Sequence, residues 1–309
     1  MSVPLSIGYS DLKATGLIPS LFAKEFNVFY WPTTRMSQVT TGIFYEPLLS
    51  MGDQITVPNL PIFGVFNVTK GMDLPEPEAP VIAPVVMTVN RAKGFNVTVD
   101  DIDAKQSHIN IGPKYQKAAY MTLERAVETE FWADIVTHAH AMNQGGGAGK
   151  SGNINLGTKA APIPLNTGVS TKLLIDMFSV LADQSAESST DLWAIIPNYA
   201  AGLLVQSDLK AVYLTGDKVS PLRTGDIGKI NDILVSRSVL TTNALGTQAD
   251  PVPIIVGNKD AISYIAQLNR LRIIDKDPKS FRTLFQGLFV YDWSVRKPEG
   301  LVVAWVYYN

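Results

Sequence analysis

Cysteine does not occur once in the 309 residues. Disulfides, thiol nucleophiles and thiolate metal sites are therefore all excluded, and the redox compartment leaves no mark on the chain. Histidine is nearly as scarce, with only His108, His138 and His140. A serine hydrolase needs a positioned histidine, and none of these lies in a G-x-S-x-G or comparable strand-turn-helix setting. Charge is thin as well: Asp, Glu, Lys and Arg make up 17% of the residues while 46% are hydrophobic, against about 25% charged in an average soluble domain. A surface so short of charge points to one covered by partners. The 26 basic and 28 acidic residues give a net charge of −2 without a strong block of either sign, so the basic face of a sequence-reading nucleic-acid binder is missing. The longest apolar run, residues 301 to 308, falls far short of the roughly 18 residues of a membrane span. The opening MSVPLSIGYSDLK has no basic stretch followed by an apolar one, so no secretory signal is expected, and the reading is a soluble protein made in the cytosol.

What is present divides the chain into parts. The first fifty residues hold LIPSLFAKEFNVFYWPTTRM, a cluster that includes Phe29 and Trp31, with Pro32 stopping any helix there. An arm this aromatic must bury itself on its own body or on a neighbour. After a strand from Gln54 to Val57, six prolines fall from Pro58 to Pro84, and Asp73, Glu76 and Glu78 make the tip of that excursion acidic. Prolines at this density hold a chain extended and deny it ladder hydrogen bonds, so an arm or ragged hairpin is expected, ordered at its base. Phe95, Val97 and Val99 then alternate with polar residues as in a half-buried strand. Ala119, Leu123, Val127, Phe131 and Ile135 recur at helical spacing, with Glu124, Arg125, Glu128, Glu130 and Asp134 elsewhere around the cylinder. That helix is predicted over 113–142, roughly 45 Å long.

QGGGAGKS, residues 144–151, looks like a phosphate-cradling loop. Gln144 replaces the first glycine of the pattern, a helix precedes it, and Gly152, Gly157, Pro162 and Pro164 forbid a helix of useful length after it. It reads as a glycine-rich linker between two structural units. Beyond it the pattern is mixed α/β: helix TKLLIDMFSVLAD, strand LWAIIP, helix NYAAGLLVQ, strands ILVSRS and VPIIVG, a helix over 260–268, then strands TLFQGLFVYDWSV and LVVAWVYY joined by RKPEG. Neither His138 with His140, two apart on a helix, nor Asp100, Asp101 and Asp103 at a strand end makes a metal site; the first reads as polar surface at a helix terminus and the second as capping. No metal, no cofactor and no catalytic residue is assigned.

The order of these parts, with FNVTVDDIDAKQSHI leading into the long helix and RTGDIGKINDILVSRSVL further on, resembles the major capsid protein of tailed bacteriophages. The likeness covers nearly the whole chain; Asn231-Asp232 stands where that family most often has a glycine. It implies an α+β chain with the Hong Kong 97-type capsid fold: an N-terminal arm over 1–53, an extended loop over 54–90, a peripheral domain with the spine helix over 91–150, an axial α/β domain over 151–280, and strands returning to the peripheral domain over 281–309. The implied partners are other copies of the chain in hexamers and pentamers, a separate scaffolding protein, a portal, non-specific double-stranded DNA on the inner face and, in some shells, a decoration protein, with no membrane. The implied location is the virion, assembled in the host cytoplasm. Phe29, Trp31, Arg35, Lys70, Asp73, Glu76, Glu78, Arg91 and Lys93 are then candidates for contacts between subunits. Gly145, Gly146, Gly147 and Gly149 are candidates for a hinge. Two other readings stand beside this one, an encapsulin-like compartment enclosing protein cargo and a nucleotide hydrolase using Lys150 and Ser151.

Overall fold

The computed structural model describes residues 34–41, 54–58, 63–73, 75–79, 84–100, 111–184, 191–206, 229–230, 233–241, 246–274 and 282–308. Its centre is a six-stranded sheet with apolar layers on both sides. In sheet order the strands are β4 (Ile163–Leu165), β11 (Leu301–Tyr308), β8 (Val252–Asn258), β5 (Leu192–Ile196), β7 (Ile233–Arg237) and β6 (Lys229–Ile230). Near-continuous apolar runs are what a doubly covered strand requires, and β5, LWAII, is buried at every position. Because successive side chains point to opposite faces, each such strand feeds two cores. Leu192, Ala194, Ile196, Ile254, Val256, Val302, Ala304 and Val306 pack on one side with Leu173, Leu174, Met177, Val180 and Leu181 of helix α3 (Thr167–Asp183) and with Ala200, Ala201 and Leu204 of α4 (Asn198–Gln206). Trp193, Ile195, Ile255, Leu301 and Val303 pack on the other with Val127, Phe131, Trp132 and Ile135.

Those last four residues come from the spine-like helix α2 (Ile111–Ile135). The i, i+4 stripe read from the sequence is the buried one: Leu123, Val127, Phe131 and Ile135 all lie inside. Pro113 is tolerated because it stands in the first turn, where a backbone N–H has no intrahelical acceptor. The helix is shorter than the 113–142 expected. Its α-helical part ends at Ile135 and continues as two single turns, Val136–His138 and Ala141–Asn143, with Ala139 extended between them. Thr137 donates to the carbonyl of Asp134, and the amide of Met142 donates to His140 Nδ1, so side chains take over from the helical ladder.

Beside α2 lies a three-stranded antiparallel sheet in the order β3 (Arg91–Asp100), β10 (Arg282–Val295), β9 (Ile262–Ile274). The helix expected over 260–268 is strand instead. Its apolar spacing fits either period over so short a run, and pairing of Ile262 to Ala266 with Tyr291 to Val295 decides in favour of extended chain. The two sheets draw strands from both sides of residue 280: β9 pairs with β10, while β11 lies inside the six-stranded sheet. A third unit is a ribbon of β1 (Gln54–Pro58) and β2 (Pro84–Thr88).

Candidate functional site

The ribbon is the root of the extended loop. Its register runs from Gln54 opposite Thr88 to Pro58 opposite Pro84, and a proline on each strand marks where ladder pairing stops. Beyond it, residues 63–73 and 75–79 are all exposed. Phe63, Val65, Phe66, Val68 and Met72 stand in water, Val65 at 98%. Lys70, Asp73 and Glu76 sit at the tip; Glu78 accepts from the amide of Gly64 at 3.0 Å and ties the two legs together.

Where the ribbon joins the body, charged groups converge. The Arg91 guanidinium reaches Glu130 at 2.8 Å, Asp134 at 3.0 Å and Asp292 at 3.3 Å, and lies 4.1 Å from the centre of the Trp293 ring. Lys93 reaches the other oxygen of Glu130 at 2.8 Å. Trp293 Nε1 donates to Asp134 at 2.6 Å, the Tyr291 hydroxyl donates to Glu130 at 3.3 Å, and the amides of Asn90 and Trp293 donate to Asp292. Partial burial alone would raise the Glu130 pKa; hydrogen bonds from Lys93 and Arg91 outweigh it and hold the carboxyl below the ordinary value. Burial would likewise lower the Arg91 pKa, and its carboxylate partners, Glu130 foremost, raise it instead. Arg91 and Lys93, read from the sequence as cations for contacts between subunits, are thus engaged within the chain.

Arg35 stands on a second junction, the one that fastens residues 34–41. Both oxygens of Glu128 accept from the Arg35 amide, at 2.8 and 3.0 Å, and Trp132 Nε1 donates to the same carboxylate at 2.9 Å. Glu128 thereby supplies acceptors at the start of the short helix α1 (Met36–Val39), whose own N-cap side chain makes none. Sequence pattern had put Glu128 on the polar side of the helix; it is 1% exposed. Burial pushes its pKa up, against the hydrogen bonds from Trp132, Arg35 and Met36. Two residues past α1, Thr41 exchanges backbone hydrogen bonds with Ile262 and Tyr264 at the start of β9. One clue was legible: Glu128 falls one residue past Val127 and four before Trp132, inside the apolar stripe.

The glycine run forms a hydrogen-bonded turn. Gly145 and Gly149 have φ of +86° and +78°, a region that favours glycine. Ala148 exchanges backbone bonds with Ile154 and is fully buried; the amide of Gly149 donates to Met142, that of Leu156 to Gly145, and that of Lys150 to Asp183. The next helix begins only at Thr167, capped by the Asn166 side chain. The run therefore does not open a helix whose N-terminus could face a phosphate. His138 lies 3.6 Å from Asp134, and among the described residues no group of three metal-ligating side chains converges. Phe29, Trp31, Asp101 and Asp103 lie outside the described residues.

Solved structures share this whole-chain shape. A chain of Mycobacterium phage Che8 superposes with a TM-score of 0.74 at 19% identity, over 94% of this chain and 97% of that one. A chain from the capsid structure of the cyanophage P-SCSP1u gives 0.69 at 17% identity, over 96% and 94%. One from the mature capsid of bacteriophage PhiM1 gives 0.68 at 12% identity, over 94% and 92%. No protein-family model and no curated protein sequence matches the chain. The chain has the fold of phage major capsid proteins, as the resemblance implied.

Proposed function

We propose that this protein is the shell-forming subunit of a phage head, a structural and non-enzymatic protein whose copies associate as hexamers and pentamers around double-stranded DNA. One observation carries the reading: a whole-chain capsid fold bears an arm on which Phe63, Val65, Phe66 and Val68 are 61%, 98%, 48% and 68% exposed. A neighbouring copy that covers this arm removes that apolar surface from water at about 25 cal/mol per Å². The acidic tip, Asp73 and Glu76 with Lys70, would meet charges of that neighbour. Since Arg91 and Lys93 already hold Glu130, Asp134 and Asp292, an incoming carboxylate would have to compete for them, and Arg35 is the less committed of the three candidates. Phe29 and Trp31 would serve the same contacts from the N-terminal arm. The glycines at 145, 146, 147 and 149 would act as a hinge during shell expansion only if the hydrogen bonds of their turn opened. Scaffolding, portal and decoration partners and assembly in a host cytoplasm belong to the same reading.

Electron microscopy of the expressed protein tests it, with the nucleic-acid content of purified particles measured alongside. Closed icosahedral shells support the proposal; a monodisperse monomer at high concentration refutes it, and shells filled with protein cargo would move it to an encapsulated compartment. Charge reversal at Asp73 and Glu76 is expected to lower particle yield and salt tolerance, and unchanged values of both would remove the tip from the contacts.

A further inference from the structure

The exposed ribbon has no core of its own, and a two-stranded hairpin in water is marginal at best. Something in the body must set the angle at which it leaves. Only Val89 and Asn90 separate β2 from β3, so the orientation is decided within a few residues of Arg91. Met87 is buried there, and the amide of Asn90 donates to Asp292. The apolar contact fixes no direction, the hydrogen bond is a single anchor, and the ladder that pairs Arg91 with Tyr291 holds the chain to β10 but not to α2.

Arg91 differs in kind. A guanidinium is planar and presents its donors in a rigid fork, so it fixes orientation as well as proximity. Here three of its nitrogens are matched by carboxylates from two elements, Glu130 and Asp134 of α2 and Asp292 of β10, and its plane rests on Trp293. Each acceptor is itself held: Glu130 by Lys93 and Tyr291, Asp134 by Trp293, Asp292 by two backbone amides. Two cations face three carboxylates, and His138 adds a third positive group only when protonated. Lys93 cannot replace the fork, because its single ammonium is spent on Glu130.

We propose that Arg91 is a positioning residue that locks the root of the β1–β2 ribbon to helix α2 and β10, so that the ribbon and the long helix turn as one body. The coupling is a property of the single chain and holds whether or not the loop ever meets a neighbour.

The absence of cysteine makes a clean test, because labels go only where cysteines are introduced. Nitroxides are placed at Thr56→Cys on the exposed face of β1 and Ala118→Cys on the exposed face of α2 in the full chain, diluted with unlabelled protein, and their separation is read by pulsed electron paramagnetic resonance. The parent is expected to give one narrow distance distribution. Arg91→Gln, with its secondary structure retained by circular dichroism, is expected to broaden or shift it. Arg91→Lys, which keeps the charge and loses the fork, is expected to do so as well. A broad distribution in the parent, or parental width in either Arg91 variant, overturns the proposal. Should Arg91→Gln fail to fold, Asp292→Ala decides: it removes the oxygen that Arg91 Nε reaches and with it one anchor of the fork, and an unchanged distribution there overturns the proposal equally.

Discussion

Replacing Glu128 by glutamine changes one oxygen to an NH2 group and should release the 34–41 segment. The carboxylate serves three donors, the amides of Arg35 and Met36 and the indole of Trp132. Glutamine offers one acceptor oxygen and turns two N–H bonds toward groups that are themselves donors. With its oxygen in the Oε1 place, where Arg35 and Trp132 both donate, one donor, the Met36 amide, lacks an acceptor, and a buried orphan costs about 1–3 kcal/mol; ending the burial of a charge offsets part of this. A net loss of about 2 kcal/mol corresponds to a roughly thirty-fold rise in the local opening equilibrium. Amide hydrogen exchange at Arg35, Met36 and Thr41 reads it directly, and the effect should be larger there than at β5 or β8. The pH dependence supplies a second signature. The folded pKa of Glu128 lies above its ordinary value near 4.3, so the native state binds this proton more tightly than the unfolded one. Its contribution to stability is therefore best at low pH and declines as pH rises through the window between those two values. That decline should vanish in the glutamine variant. Unchanged exchange at 34–41, or the same pH slope in both proteins, would refute the assignment of Glu128 as the clasp.

Three further outcomes follow from the geometry. Phe131→Ala empties a fully buried site that meets Trp132 and Trp293 edge-on at 5.0 and 5.4 Å; a loss of about 3–5 kcal/mol in denaturant unfolding is expected. Gly149→Ala forces a side chain into φ of +78° with its Cβ about 3.0 Å from Asp183 Oδ2, and should lower stability by about 1–2 kcal/mol, where Gly152→Ala, with open space around it, suffers the backbone strain alone. Glu130, whose folded pKa is depressed, contributes stability above its ordinary value near 4.3 that is lost as pH falls through the lower folded value; Lys93→Met should shrink this acid-side loss in urea midpoints measured between pH 3 and 6.

Periodicity carried the fold as far as periodicity goes. The stripe Leu123, Val127, Phe131, Ile135 announced a buried helix face, and the apolar LWAII and LVVAWVYY announced strands. It failed where two periods compete over a short run, at 260–268, because β pairing with β10 is a non-local fact that no window of sequence contains. The site shows the same division. A proline-rich arm with an acidic tip was readable from composition. The partners of Arg91 were not, since Glu130 lies 39 residues away and Asp292 more than two hundred, and charges scattered through a chain announce nothing about which of them meet.

A chain with this fold joins a close-packed body to an outlying arm, and it holds the two with different chemistry. The body must not deform, and the doubly covered sheet gives it close packing on both faces, where any shift of β5, β8 or β11 disturbs two cores at once. The arm must reach outward, which forbids it a core. Apolar packing cannot orient an element that has nothing beneath it, but directional bonds from a rigid cation can. That explains why charge gathers at the ribbon root, at Arg91, and at the clasp of residues 34–41, at Glu128. Each junction rests on residues of α2, four apart in one case and adjacent to the core stripe in the other, so the long helix acts as the common beam to which both extensions are bolted.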